Sequence, residues 1–258
     1  MFIRRRSALA TLALTLATLA AGCGSDSSTG PSSQPVTLDQ ALAELSLPAL
    51  SATAEAFGGG APTLPALVSS GCTYEAASQS YACTPIVASG VTVTQGFTLL
   101  DASGGKQAAF DKTSTAAVRA NTTIAGTIDD SAGTQLTIDG QQELTLSGLL
   151  GPTHTLDGTS TVHIASVGSD LPFETTVATT ITGLVLQPPP KDGTHPWPMA
   201  GTITVEGTTS IGEGAPDPDV VRVTITFSGT STVNVSFTGG GISGSCKVDL
   251  ASQAPACS

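Results

Sequence analysis

Val221-Arg222-Val223-Thr224-Ile225-Thr226-Phe227 alternates apolar and polar residues without a break, and Thr232-Val233-Asn234-Val235-Ser236-Phe237 repeats the pattern a few residues on. Side chains of an extended chain point to opposite faces in turn. Each segment therefore presents one apolar face and one hydroxyl-bearing or charged face, as a half-buried antiparallel strand does. Outward from this pair, Thr202-Ile203-Thr204-Val205-Glu206 alternates in the same way. From Gly90 onward, Val91, Val93, Phe97 and Leu99 share one side while Thr92, Thr94 and Thr98 share the other. Further strands are expected near residues 113 to 128, 134 to 149, 155 to 167 and 173 to 187, with turn signals at Asp130-Ser131-Ala132-Gly133, Gly151-Pro152 and Asp192-Gly193.

Composition points the same way. Among 258 residues there are 39 Thr, 29 Gly and 16 Pro, a mix that favours strands and turns over helices, and 40% hydrophobic content is enough for a core. The fold class read from the sequence is all-β: an antiparallel meander of about 8–11 strands. Its apolar face would be covered by curling into a barrel or half-barrel, by stacking as a sandwich, or by a helix laid across it, for which the segment from Thr37 to Phe57 is the available cover. A short N-terminal helical segment is also expected, because Thr37-Leu38-Asp39-Gln40 has the form of a capping box and Leu38, Ala41, Leu42 and Leu45 follow at helical spacing. Pro48 interrupts it, and a second piece over roughly 49–57 stops at Gly58-Gly59-Gly60. One Trp, two Tyr and seven Phe are too few for the aromatic girdles of an outer-membrane barrel.

Nine Lys and Arg against twenty Asp and Glu give a formal charge of −11, and no basic run follows the first residues. Nucleic acid is therefore excluded as a partner on electrostatic grounds. The N-terminal residues have a different character. Arg4, Arg5 and Arg6 precede an apolar run from Leu9 to Ala21, and small residues lead into Cys23. That is a charged region, a hydrophobic region and a processing site, with an apolar run short of the about 20 residues of a spanning helix.

Leu19-Ala20-Ala21-Gly22-Cys23 resembles the lipobox of bacterial lipoproteins. The resemblance implies lipidation of Cys23 through a diacylglyceryl thioether, cleavage just before it, and acylation of the new amine. Two or three acyl chains give stable attachment, each contributing about 0.8 kcal/mol per buried CH₂. The chain then divides into a signal peptide (1–22), a lipid-anchored flexible tether (23–35), a helical segment and lead-in (36–70) and an antiparallel β domain (71–258). The processed chain keeps six basic and twenty acidic residues, a formal charge of −14, so anionic headgroups repel its body while the acyl chains hold it to the membrane. Gly24 after the cysteine resembles lipoproteins sent to the outer membrane. The body is similar in texture to Thr-rich secreted β lipoproteins, a likeness that implies no activity.

With Cys23 assigned to lipid, Cys72, Cys83, Cys246 and Cys257 remain, an even number in an exported chain. Three connectivities are open. The local one is expected, because Cys72–Cys83 and Cys246–Cys257 enclose segments identical at six of twelve positions, and each reads as a hairpin folded at its middle. In the first, Tyr74 would face Tyr81 on the cysteine side, and Pro255 argues for an edge position in the second. Neither C-x-x-C nor histidine spacing suggests a metal or redox site.

Candidate chemistry is sparse. His163 alternates with Val162 and Ile164 and so points to the Thr face, while His154 follows Gly151-Pro152-Thr153 in a turn; both read as solvated polar residues. The G-x-S-x-G elbow of a serine hydrolase is absent. Asp129-Asp130 and Asp217-Pro218-Asp219 could offer oxygens to calcium, but they fall in turn-like stretches where Asp caps backbone. The stretch Pro188-Pro189-Pro190-Lys191-Asp192-Gly193-Thr194-His195-Pro196-Trp197-Pro198 is stiff and cannot continue a sheet. It is either a recognition loop with His195 and Trp197 at its tip or a rigid connector whose Trp197 plugs one end of the sheet. The sequence thus suggests no catalytic residue, metal or cofactor. It points to a noncatalytic envelope lipoprotein with a structural or binding role, then to a carrier of an apolar ligand, and least to a hydrolase of envelope polymers.

Overall fold

Thr, Val and Ile stiffen the chain at χ1 and fit a pleated surface, and their alternation here builds long strands. The computed structural model describes residues 71–88, 90–129, 135–167, 172–187, 197–212, 219–250 and 254–257. The expected leader, tether and helical segment, and Cys23 with them, lie outside these residues. The strands are β1 (Cys72–Glu75), β2 (Ser80–Cys83), β3 (Ile86–Ala88), β4 (Val91–Asp101), β5 (Lys106–Gln107), β6 (Thr115–Asp129) and β7 (Gln135–Ser147). They continue with β8 (His154–Val167), β9 (Phe173–Leu186), β10 (Ala200–Ile211), β11 (Asp219–Phe227), β12 (Thr232–Gly239), β13 (Ile242–Asp249) and β14 (Ala254–Cys257). No helix occurs among the described residues.

All fourteen strands belong to one antiparallel sheet in the order β1-β2-β4-β6-β7-β8-β9-β10-β11-β12-β13-β14, with β3 and β5 also paired to β4. The meander is not closed: β1 and β14 are the two ends of the order and do not pair with each other. Fourteen strands exceed the 8–11 expected, and the difference lies in short pieces. β3 has three residues and β5 two, and both pair with β4 beside the two-residue contact of β2 at Tyr81 and Ala82. Such pieces are below the length at which period 2 can be recognised. Between β12 and β13 the chain reverses through Gly240 and Gly241, both at positive φ (57° and 75°), which suits the twist of a two-residue hairpin.

One face of the sheet carries the core. Phe97, Leu99, Val118, Leu144, Leu146, Leu156, Ile181, Leu184, Val223, Ile225, Phe227, Val233, Val235 and Val248 form a single buried cluster, joined by Leu149 and Leu250 from turns. Cys72, Tyr81 and Cys83 from one end of the strand order pack against this cluster, and so does Cys246 from the other end.

A bulge keeps β9 in phase with that face. Leu156 pairs with Leu184 and Gly158 with Ile181, so β9 carries one residue more than β8 across this step. Gly183 takes up the extra residue at φ 56°, a conformation in which a side chain is strained, and its N–H donates to Asp157 Oδ1 at 2.6 Å. Without it Leu184 and Ile181 would fall on opposite faces.

Candidate functional site

Register partners share a face, so the pairing resolves the sheet into rows of side chains that cross the strands. On the core face, Leu99, Val118, Leu146, Leu156 and Leu184 form one fully packed row, 0 to 6% exposed. Phe97, Ala120, Leu144, Gly158 and Ile181 form the next. The row after that changes character: Gln95, Thr122, Gln142, Ser160 and Thr179 are register partners across β4, β6, β7, β8 and β9, and all are half-buried. Gln95 Nε2 donates to Thr122 Oγ1 at 3.5 Å. Beyond this polar row the face turns apolar again, with Val93, Ile124, Gly140, Val162 and Val177 in register. Ile124, Val162 and Val177 are half-buried there, and Val93 and Gly140 in the same row are buried. Ile138 and Ile164 follow, and Phe173 stands 36% exposed near the end of the face.

The opposite face carries hydroxyls and charges. Thr159, Thr180, Thr204, Thr224, Ser236 and Ser245 are successive register partners across β8 to β13, with the Thr204 and Thr224 hydroxyls 3.4 Å apart. Arg119 Nε lies 3.7 Å from Glu143 Oε1. Arg222 Nε donates to Glu206 Oε1 at 2.9 Å, and its Nη2 reaches the same oxygen. These pairs are exposed and screened, so each adds little stability. His163 lies on this face opposite Asp139 and Thr176, and its Nε2 is 2.8 Å from Glu174 Oε1. The two side chains are 36% and 63% exposed, so this histidine and carboxylate are solvated rather than enclosed in a cleft.

His154 differs from expectation. It is the first residue of β8, opposite Leu186 on the core face, and only 2% exposed. The turn before it is closed by the Gly151 N–H donating to Gly148 O at 2.9 Å, and strand parity then carries the imidazole inward with Leu156. Trp197 is half-buried and packs against the core cluster at the entry to β10. His195 lies outside the described residues, as do Asp130 and Asp217. Asp129 Oδ1 accepts from Gln135 Nε2 at 3.0 Å, and among the described residues no group of three or more His, Cys, Asp or Glu is arranged to hold a metal ion.

The cysteines close two hairpins of the same register. Cys72 pairs with Cys83 and Cys246 with Cys257, with S–S distances of 2.04 and 2.02 Å. In the first hairpin Tyr74 meets Tyr81 edge-on with centroids 5.4 Å apart, and Tyr81 stacks on Phe97 at 4.5 Å. The Tyr81 hydroxyl donates to Ala108 O at 2.6 Å, and Lys106 Nζ to Ser78 O at 2.9 Å, which holds β1 and β2 against the β5 segment. These are structural contacts.

The polar row within the core face is the feature that sequence analysis missed. Its signal is nonetheless present: Gln95 interrupts the apolar series Val93, Phe97, Leu99, and Gln142 stands two residues before Leu144. A polar residue in a buried phase reads locally as a lapse in the pattern, and only the cross-strand register reveals that five such lapses line up. Compared with protein-family models, curated proteins and solved structures, the chain shows no match in any of the three.

Proposed function

We propose that this protein is a noncatalytic lipoprotein of the bacterial cell envelope, anchored to the outer membrane through acyl chains on Cys23 and displaying a disulfide-closed β body with a structural or binding role. The observation that carries the reading is the pair of cystine hairpins at the two ends of one sheet, since structural disulfides persist outside the reducing cytosol. A leader over residues 1–22, ending just before Cys23, is the matching address. The sheet itself is read as an incompletely closed half-barrel. Residues from both of its ends pack on one cluster, and the rows through Leu99 and Leu146 are withdrawn from water although the described residues form a single sheet. The exposed setting of His163 and Glu174 favours a surface contact over acid–base chemistry.

The test is metabolic labelling with palmitate followed by fractionation. Wild type takes up label and sediments with membranes, and Cys23→Ala is unlabelled and soluble. A Cys23→Ala chain that still sediments overturns the anchor.

A second reading, the carrier of an apolar ligand, is favoured by one observation. Leu99 and Leu146 are withdrawn from water, whereas Ile124, Val162 and Val177 on the same face are half-buried, with the closed Ile138 and Ile164 beyond them. A ligand would lie there.

A further inference from the structure

We propose that the Cys246–Cys257 bridge is a thiol–disulfide exchange site, opened by a dithiol that attacks the sulfur of Cys257, while Cys72–Cys83 is a permanent brace. The inference goes beyond the proposed function and holds whether or not Cys23 carries lipid. The two bridges are matched in what local sequence sets. Each joins cysteines 11 positions apart and directly opposite in register, within a hairpin of four paired residues a side. A difference in reactivity must therefore come from their surroundings. Exchange needs a thiolate to approach one sulfur in line with the S–S bond, and needs the attacked cysteine to move as the old bond lengthens.

The first bridge resists on both counts. Cys72 and Cys83 are half-buried, and both pack against the core cluster. On one side of the bridge Thr84 donates to Gly71 O through its N–H at 3.0 Å and its hydroxyl at 3.1 Å, which clamps the start of β1. On the other, Tyr81 is stacked on Phe97 and bonded to Ala108 O, and β2 is paired onward to β4. Cys257 stands apart from the other three. It is exposed, whereas its partner Cys246 is half-buried and packs against the core. Among the described strands β14 pairs with β13 alone, and Pro255 in its middle has no N–H to give. An exposed sulfur on a short last strand can be reached and can move.

The chemistry is a two-electron exchange. A thiolate of the dithiol bonds to Sγ of Cys257, and Cys246 leaves as a thiolate that takes a proton from water. The second thiol, deprotonated to water, then attacks the reductant's own sulfur in the mixed disulfide. The dithiol ends as a disulfide, Cys257 leaves as a thiolate that is protonated in turn, and cystine has been reduced to two thiols.

The full chain is incubated natively with dithiothreitol, quenched at intervals with N-ethylmaleimide and mapped cysteine by cysteine by mass spectrometry. Cys246 and Cys257 should become labelled about tenfold faster than Cys72 and Cys83. With glutathione alone, the trapped mixed disulfide should lie on Cys257 and not on Cys246. Cys72→Ala with Cys83→Ala should keep the fast reduction. Hydrogen exchange on the partly reduced wild type, which needs no variant to fold, should show lost protection in β14 while β1 and β2 keep theirs. Equal rates at the two bridges, earlier opening of Cys72–Cys83, reduction only on global unfolding, or glutathione on Cys246 would each overturn the assignment.

Discussion

Asp101 and Asp111 each close a turn with a carboxylate. Asp101 accepts from the Ser103 hydroxyl at 2.6 Å and from the Gly105 and Ser103 N–H groups, and Asp111 accepts from the Thr113 N–H at 2.8 Å and the Thr113 hydroxyl. Bonds to the ionised form hold both carboxyls below the ordinary value of 3.8. With the folded value depressed, their stabilising contribution is complete above 3.8 and is lost as pH falls through the lower folded value. The melting-temperature advantage of wild type over Asp101→Asn with Asp111→Asn should therefore be constant above about pH 5 and shrink on acidification below the ordinary carboxylate range. A second residue-scale prediction concerns the bulge. Asp157→Ala removes a charge-assisted bond to the Gly183 N–H and should destabilise by about 1–2 kcal/mol in urea titration, and Gly183→Ala by about 1–2 kcal/mol through φ alone. His154 shows why single residues are hard to place from sequence. Its local setting after Gly-Pro-Thr reads as a turn, and only the pairing of β8 with β9 fixes the parity that buries it.

Elements were more legible than residues. The alternation around Val223 and Ile225 is uninterrupted and that from Val91 to Leu99 is broken only at Gln95, enough to give β11 and β4, and the stretches expected near 155–167 and 173–187 correspond to β8 and β9 within a residue at each end. The strand expected from 113 begins instead at Thr115. Asp111 draws residues 112–114 into a turn, while the Thr115 hydroxyl donates to Gln107 Oε1 at 2.7 Å. β3 and β5 were illegible because two or three residues carry no period, and the bulge because a lone glycine in a strand does not announce whether it adds a residue. The two cystine hairpins are the elements whose energetics can be tested most directly. Each disulfide closes a loop of comparable length, so Cys72→Ala with Cys83→Ala, and separately Cys246→Ala with Cys257→Ala, should each lower unfolding stability by about 3 kcal/mol on the chain-entropy account. The first pair also stands beside the Tyr81–Phe97 stack. If its loss exceeds that of the second in parallel denaturation curves, the excess measures how far the aromatic contacts depend on the bridge.

At the scale of the molecule, a single sheet with its buried apolar strand residues on one side explains both the composition and the core. Threonine fills the water-facing phase of β10 and β11, and Val and Ile fill the other, so the same alternation that forms strands also sorts polar from apolar. What the sequence could not convey is global. Strand order, the unclosed ends and the alignment of Gln95 with Thr179 depend on the registers of successive strand pairs taken together, none of which is written in a single segment. The terminal hairpins have one more effect. β1, β2 and β14 are four residues each, with cystine joining β1 to β2 and β14 to β13, whereas β4 behind the first hairpin and β13 behind β14 are eleven and eight residues long. Cutting the bridges with a dithiol would let these rims fray and uncover main-chain donors and acceptors long enough to recruit a foreign strand. Reduced protein should therefore polymerise edge to edge, seen as light scattering that rises before far-ultraviolet ellipticity falls. The bridges would then protect solubility as much as they protect the fold.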